Sequence, residues 1–219
     1  MKITSDIYQV GGEGLSNSAD AAVYLVTSDG GAVLIDAATG KGEKQLLSNI
    51  KSCGVDPDSI KYLFLTHCHY DHTGGAAGIR KAAGCSIVAH SLDAKYIESG
   101  DSEVTAASWY GTYMPPLKVD VKVTGKSREF NAGGVKIVFH HTPGHSPGSS
   151  VLTTMSDGQL VLFGQDVHGP LDSRLLSNRA DYRSSLEFMI SLNADILCEG
   201  HFGIIKGKAR VKSFIESYL

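Results

Sequence analysis

A short run of residues, HCHYDH at positions 67–72, places three imidazoles and one carboxylate close together, directly after an apolar stretch. Imidazole and carboxylate groups are ligands of divalent metal ions, zinc first, with iron or manganese as alternatives. In an extended backbone His67 and His69 point to the same side, whereas the cysteine between them points to the other. If the chain turns into a helix at Asp71, then Asp71 and His72 diverge from the first pair and are free to hold a second ion. The run therefore predicts a catalytic site with two metal ions.

Three more potential ligands follow apolar runs in the second half of the chain, and a glycine lies close to each of them. They are His145 in TPGH, Asp166 in GQD and His201 in EGH. Glycine permits a close backbone approach and unusual dihedral angles, which helps to place a ligand beside a buried ion. Three or four protein ligands for each ion leave coordination positions open, which is typical of catalytic rather than structural metal sites.

These residues lie at the ends of predicted strands, and the apolar pattern predicts strands and helices in both halves of the chain. In the first half, it predicts strands at residues 21–26, 32–36, 60–66 and 86–89 and helices at residues 41–53 and 73–83. The second half repeats the scheme, with strands at 119–123, 135–140, 150–152, 160–163 and 195–198 and helices at 182–192 and 209–219. Two halves that each mix strands with helices predict an α/β sandwich of two sheets with helices outside, formed by one domain over residues 1–219.

Residues 93–118 differ from this scheme because they contain Trp109, Tyr110, Tyr113 and Met114 without a clean period. We interpret them as a partly helical insertion that covers the site and forms an apolar pocket for an acyl or lactone group. A surface loop with one packed aromatic cluster is the alternative that the pattern leaves open.

The composition excludes several classes of function. The chain has 219 residues, with 42% hydrophobic residues, 20% charged residues and a formal net charge of −3, which describe an ordinary globular protein. No run of Lys and Arg forms a basic patch, so nucleic acid is not expected as a partner. No apolar run is long enough for a signal peptide or a membrane span, so the expected location is the cytoplasm, away from membranes. The four cysteines form no CxxC pair, so a zinc ribbon is not expected.

The motifs HCHYDH, TPGHSPGS, GQD and EGH, in that order and preceded by Asp36 in VLIDAATG, resemble the metallo-β-lactamase superfamily. The resemblance covers nearly the whole chain, from Asp36 to His201. It is specific because an ordered set of ligand-type residues carries it, whereas any one motif alone is a weak signal. It implies a four-layer αβ/βα sandwich, the metallo-β-lactamase fold, which agrees with the pattern of two halves.

The resemblance also implies roles for individual residues. Seven positions correspond to ligands of two divalent metal ions, most simply Zn²⁺: His67, His69 and His145 for the first ion, Asp71, His72 and His201 for the second, and Asp166 for both. Asp36 resembles an acid that orients a ligand. Asp71 is also expected to be catalytic, because it can orient the nucleophile and move its proton. His168 is expected to reach the substrate or donate a proton, and a solvent-facing loop histidine is the alternative.

Within the superfamily, the motifs are most similar to the glyoxalase II-like group of thioesterases, lactonases and related ester hydrolases. The resemblance implies a hydrolase that uses a metal-bridged hydroxide to attack the carbonyl of a small-molecule thioester, ester or lactone. Metallo-β-lactamases proper typically lack an acid where Asp166 stands, and glyoxalase II proper adds a helical domain after its last ligand. A mononuclear iron persulfide dioxygenase and a phosphodiesterase of the same superfamily are the alternatives. The sequence also leaves open a homodimer.

Overall fold

Two six-stranded sheets form the centre of the computed structural model, which describes residues 1–219. One layer of buried apolar side chains lies between the sheets, and a further layer lies on the outer face of each sheet. The α-helices cover the two outer layers. This arrangement is the four-layer αβ/βα sandwich that the sequence predicted, and the prediction is confirmed.

The first sheet comes from the first half of the chain. Its strands, in spatial order, are β1 (Ile7–Gly11), β2 (Val23–Ser28), β3 (Gly31–Ile35), β4 (Ile60–Phe64), β5 (Ser86–His90) and β6 (Val121–Val123). Its helices are α1 (Glu43–Ser52), α2 (Tyr70–Thr73), α3 (Ala76–Ala83) and α4 (Ser91–Ser99). The strands β1 to β3 pair antiparallel, whereas β3 to β6 pair parallel. Parallel neighbours require crossover connections, and the helices supply them.

The second sheet comes from the second half. Its strands are β7 (Ser127–Ala132), β8 (Val135–His141), β9 (Ser150–Ser156), β10 (Gln159–Gln165), β11 (Ile196–Glu199) and β12 (Ile204–Lys206), and its helices are α5 (Arg179–Ser191) and α6 (Lys208–Glu216). The strands β10 and β11 pair parallel, with α5 as their crossover, and the other neighbours pair antiparallel. No α-helix of either half has both the length and the apolar character that crossing a bilayer requires.

Side chains alternate between the two faces of each strand, so neighbouring residues belong to different apolar layers. In β2, Val23 and Leu25 belong to the outer layer under the helices, whereas Tyr24 and Val26 belong to the layer between the sheets. This is the period of two that a pleated strand imposes on its side chains. Because both faces of these strands are buried, they appear in the sequence as continuous apolar runs.

The predicted strands and helices are found close to their expected bounds, and three strands were missed. The strand β7 was missed because its sequence, SREFNA, is mostly polar and buries only Phe130 and Ala132. The strands β1 and β12, at the outer edges of the two sheets, were also missed. The predicted helix at residues 73–83 is divided into α2 and α3 by Gly74 and Gly75.

The start of α3 packs closely against the loop after β3. The backbone nitrogen of Gly75 donates a hydrogen bond to the carbonyl of Ala38 at 2.9 Å. A Cβ atom at Gly75 would clash with the carbonyl oxygen of Ala37, which belongs to the backbone and cannot move aside. A Cβ atom at Gly78 would instead meet the end of the flexible Glu43 side chain. The close approach therefore depends on Gly75.

We expect Gly75→Ala to lower the free energy of unfolding by about 3 kcal/mol, because the added methyl group overpacks a backbone contact. Gly78→Ala is the matched control in the same helix, and we expect it to change that free energy by less than about 1 kcal/mol. Denaturant unfolding of both variants in the presence of a chelator measures the difference. Equal stability of the two variants would contradict the close packing of α3.

Candidate metal site

Five strands deliver the ligand-type residues to one end of the sandwich. The HCHYDH run follows β4, and Asp36 follows β3 in the first sheet. His145, Asp166 and His201 follow β8, β10 and β11 in the second sheet. The site therefore lies where the ends of strands from both sheets meet, and neither half of the chain supplies it alone.

The first group contains His67, His69, His145 and Asp166, all of which are buried. Their ligand atoms lie within 4.8 Å of one another. Oδ2 of Asp166 lies 3.9 Å from Nε2 of His67 and 3.4 Å from Nε2 of His145. The resemblance implied the three histidines for the first metal ion and Asp166 for both ions.

The second group contains Asp71, His72 and His201. Nε2 of His201 lies 3.1 Å from Oδ2 of Asp71, and Nε2 of His72 lies 3.7 Å from the same oxygen. Because α2 begins at Tyr70, Asp71 and His72 leave the extended run, although the ring centroid of His72 still lies 4.1 Å from that of His67. His201 is the exposed member of this group, so the group faces the solvent.

Asp166 joins the two groups because its two carboxylate oxygens face different histidines. Oδ2 faces the first group, whereas Oδ1 lies 3.1 Å from Nε2 of His72 and 3.5 Å from Nε2 of His201. A carboxylate in this orientation can offer one oxygen to each of two ions.

The donor atoms of this site fit divalent metal ions. Several buried polar atoms have no hydrogen-bond partner in the protein, namely Nε2 of His67, His69, His72 and His145 and Oδ1 of Asp166. Unpartnered buried polar atoms cost free energy and are rare in proteins, so this concentration indicates that ligands satisfy them. Imidazole nitrogens and carboxylate oxygens suit zinc, iron and manganese.

Burial keeps His67 and His69 in the protonation state that binds metal. Burial, and then the neighbouring imidazoles of His72 and His69, hold the pKa of His67 well below its usual value. Burial, and then the imidazole of His145, lower the pKa of His69 to about 3. Both rings are therefore neutral at physiological pH, which is the form of histidine that acts as a ligand.

Residues behind the ligands orient their rings. Oδ2 of Asp36 lies 2.8 Å from Nδ1 of His72, and Asp36 also accepts a hydrogen bond from the backbone nitrogen of Thr66 at 2.8 Å. Nδ1 of His145 donates to the carbonyl of Pro170 at 2.9 Å. Since a carbonyl oxygen only accepts, Nδ1 of His145 carries the hydrogen and Nε2 keeps its lone pair for an ion. The orienting role that the resemblance implied for Asp36 is compatible with these contacts.

Asp93 links the two ligand-bearing loops, and the sequence analysis did not identify it. One of its oxygens accepts hydrogen bonds from the backbone nitrogen of Cys68 at 2.9 Å and from the hydroxyl of Ser146 at 2.6 Å. The other oxygen accepts from the backbone nitrogen of Gly148 at 2.6 Å. Asp93 therefore ties the HCHYDH run to the loop that carries His145. No local motif marks it, because its partners are distant in sequence.

Glu199 holds His168 in place, and the sequence did not indicate this role for it. Nδ1 of His168 lies 2.9 Å from Oε1 of Glu199, and Oε2 of Glu199 accepts hydrogen bonds from the backbone nitrogens of His201 and Phe202 at 2.7 and 2.8 Å. Glu199 is fully buried. The ring centroids of His168 and His201 lie 5.3 Å apart. His168 is therefore fixed beside the second group. The position of Glu199 in the EGH motif is the feature of the sequence that could have identified it.

The residues between the ligands in the HCHYDH run face away from the site. Cys68 is fully buried, with Sγ 3.8 Å from the carbonyl oxygen of Val104. Tyr70 packs against Tyr110, with ring centroids 5.6 Å apart. The alternation of an extended backbone explains why Cys68 takes no part in the ligand groups. Tyr70 begins α2 and packs on Tyr110 instead.

The aromatic residues of the segment 93–118 do not form the expected apolar pocket. Met114 is buried in the layer under the helices, and Trp109 and Tyr113 are exposed on the surface. Tyr110 lines a cavity of about 490 Å³ beside the site, and the other lining residues are mostly polar. The expected apolar pocket is not formed because Trp109 and Tyr110 lie in a short helical turn, Ala107–Tyr110, whereas Tyr113 and Met114 lie beyond it, one exposed and the other buried.

Comparisons of the amino-acid sequence with known proteins identify its family and several relatives. The family model of the metallo-beta-lactamase superfamily matches residues 20–201. A probable metallo-hydrolase of Methanocaldococcus jannaschii is 30% identical over 117 residues, which are 53% of this chain and 54% of that protein. A hydroxyacylglutathione hydrolase of Anaeromyxobacter dehalogenans is 30% identical over 133 residues, which are 61% of this chain and 42% of that protein. The chain thus spans about half the length of the curated relatives it matches.

Solved structures share the fold over the full chain. A metallo-beta-lactamase from Cronobacter sakazakii, a mutant in its HARLDQ motif, is 22% identical with a TM-score of 0.83, covering 100% of this chain and 92% of that chain. A subclass B3 metallo-beta-lactamase isolated from a soil metagenome library is 18% identical with a TM-score of 0.79, covering 100% of this chain and 91% of that chain. At these identities the likeness shows the fold alone.

We expect Asp36→Asn to weaken metal binding by about 10- to 100-fold, because the amide no longer holds the His72 ring as a carboxylate does. Competition with a chromophoric chelator measures the affinity for zinc. Asp29→Asn, in the exposed turn between β2 and β3, is the control and should bind zinc like the unmodified protein. Unchanged affinity in Asp36→Asn would show that Asp36 does not support the ligand.

Proposed function

Because the chain belongs to the metallo-β-lactamase superfamily of metal-dependent hydrolases, we propose that it hydrolyses a thioester, ester or lactone at two divalent metal ions, most simply zinc. The observation that carries the proposal is the orientation of Asp166, whose oxygens face two separate groups of ligand-type residues. If the site held one ion in the first group, the second group would bind no ion, and the buried Nε2 of His72 would stay without a partner.

His67, His69, His145 and Asp166 would hold the first ion, and Asp71, His72, His201 and Asp166 the second. When bound, such ions polarise a carbonyl and lower the pKa of water from about 15.7 to near 7. Asp71 belongs to the second group, whose His201 is exposed to the solvent, and its carboxylate would orient the attacking water and accept its proton. The neutral imidazoles of His67 and His69 keep their lone pairs directed into the site, and their burial excludes bulk water from the first group.

His168 is the proposed proton donor to the leaving group. Its Nδ1 is bonded to Glu199, so the ring is fixed and its Nε2 is the nitrogen left for the substrate. The ring is partly exposed beside His201, where a leaving group can reach it. A thiolate or alkoxide leaves as a neutral molecule once it has received a proton, and this lowers the barrier to cleavage.

The preference for an ester-type bond has two supports. One relative is named a hydroxyacylglutathione hydrolase, and the name describes an acyl ester of a thiol. The carboxylate of Asp166 stands where metallo-β-lactamases proper typically lack an acid, which is unfavourable for β-lactam hydrolysis. The purified protein should therefore be screened against S-lactoylglutathione, acyl-homoserine lactones, a chromogenic β-lactam and a chromogenic phosphodiester, with metal content measured in the same sample.

Metal content separates the proposal from the dioxygenase alternative. Two zinc ions per chain together with hydrolysis of one of the first two substrates support the proposal. One iron ion per chain with oxygen uptake on a persulfide would refute it. Cleavage of the phosphodiester or the β-lactam alone would assign the site to another branch of the superfamily.

We expect Asp166→Ala to abolish activity and to reduce the number of ions bound per chain, because the variant loses the carboxylate that both groups share. Elemental analysis and the hydrolysis assay measure the two effects on one preparation. Asp58→Ala, in an exposed turn before β4, is the control and should keep both. Full activity in Asp166→Ala would refute the bridging role.

We expect His168→Ala to lower kcat by about 100-fold on a substrate with a poor leaving group, with metal content unchanged. The loss should be smaller for a thioester or aryl ester whose leaving group needs no proton. Phe202→Leu, which alters the ring packed against His168, is the control for packing alone. A loss of equal size for good and poor leaving groups would contradict the role of proton donor.

A further inference from the structure

A cavity of about 490 Å³ opens beside the metal site, between β1, the loop at residues 12–20 and the segment that carries Tyr110. His201 lines this cavity and also belongs to the second ligand group, so the cavity and the metal site are continuous. A substrate whose reacting carbonyl lies at the metal site therefore has its other half in or beside the cavity. The chemistry of the cavity wall then decides which substrates fit.

Asp20 places a buried carboxylate in this wall. Its Oδ1 accepts hydrogen bonds from the backbone nitrogen of Thr39 at 3.0 Å and from the Thr39 hydroxyl. Its Oδ2 accepts from the hydroxyl of Ser16 at 2.6 Å. All of these donors are neutral groups, so they hold the carboxylate in place without cancelling its negative charge.

Glu13 and Gln9 add acceptors to the same wall. Glu13 is exposed in the loop and lines the cavity. The side-chain nitrogen of Gln9 donates to the carbonyl of Gly11 at 3.2 Å, which leaves the side-chain oxygen as an acceptor. No Lys or Arg lines the cavity. The wall therefore carries a negative charge from Glu13 and Asp20.

We infer that this cavity binds the non-reacting half of the substrate and selects halves that donate hydrogen bonds or carry a positive charge, against halves that carry a carboxylate. The inference rests on the proposed hydrolase function. A carboxylate that enters the cavity loses its water and faces Asp20 and Glu13, whereas a hydroxyl or ammonium group finds acceptors. The loop at residues 12–20, rather than the segment 93–118, then sets the preference of the enzyme.

The test uses three small methyl thioethers that bear an ammonium, a hydroxyl or a carboxylate group and cannot be hydrolysed. Each is titrated into the zinc-loaded protein, and the backbone amide shifts of residues 12–20 are followed by NMR. We expect the ammonium and hydroxyl compounds to bind at least about tenfold more tightly than the carboxylate. The corresponding acetyl thioesters are then assayed by release of the thiol, with a trimethylammonium group in place of the ammonium to prevent acyl transfer.

Glu13→Lys tests the electrostatic part of the inference without altering the ligand groups. We expect it to shift the ratio of kcat/KM for the cationic and anionic thioesters by about fivefold toward the anionic one. Glu129→Lys, on the exposed face of β7, introduces the same change of charge far from the cavity and should leave the ratio unchanged.

Equal or tighter binding of the carboxylate thioether, or amide shifts that do not include residues 12–20, would overturn the inference. An equal shift of the kcat/KM ratio in both lysine variants would also overturn it. The expected order of binding without hydrolysis of any thioester would instead contradict only the proposed reaction. These experiments can therefore refute the preference of the cavity and the proposed hydrolysis independently of each other.

Discussion

The carboxylate of Asp166, buried between two groups of imidazoles, is the interaction on which the site depends. One oxygen faces His67 and His145, and the other faces His72 and His201. These residues come from both sheets, so the sandwich must hold the ends of its strands in register for the carboxylate to meet all of them. An error of one residue in a strand would turn a ligand to the opposite face.

A second set of carboxylates makes this arrangement rigid. Asp36 joins the end of β4 to His72, and Asp93 joins the HCHYDH run to the loop before β9. Both are buried and accept several hydrogen bonds, which offset the cost of burying charge. Glu199 has the same role for His168 and for the backbone at His201. Buried acids behind the two ligand groups thus help to determine where the ligand-type residues lie.

The cavity beside the metal site is formed mostly by other elements than those that carry the ligand-type residues. Its wall comes from the loop between β1 and β2, which carries Glu13 and Asp20, and from Tyr110. Loops on a rigid scaffold commonly carry specificity, because they can change without disturbing the strands that hold the reacting groups. In this chain the metal site and the cavity meet at His201. The ligand groups and the residues proposed to select the substrate are therefore adjacent, although different elements carry most of them.

The sequence alone predicted the sandwich and brought the ligand-type residues into one hypothesis, because both depend on local patterns. Continuous apolar runs indicate buried strands, and ligand-type residues with glycine at their ends, such as His145 and His201, are visible without a structure. It did not predict β7, whose polar residues conceal a half-buried strand. Only the tertiary structure identified Asp93, the contact between Glu199 and His168, and the cavity at residues 12–20, because the partners in each case lie far apart along the chain. Contacts of this kind have no period and no motif, so the folded chain alone decides them.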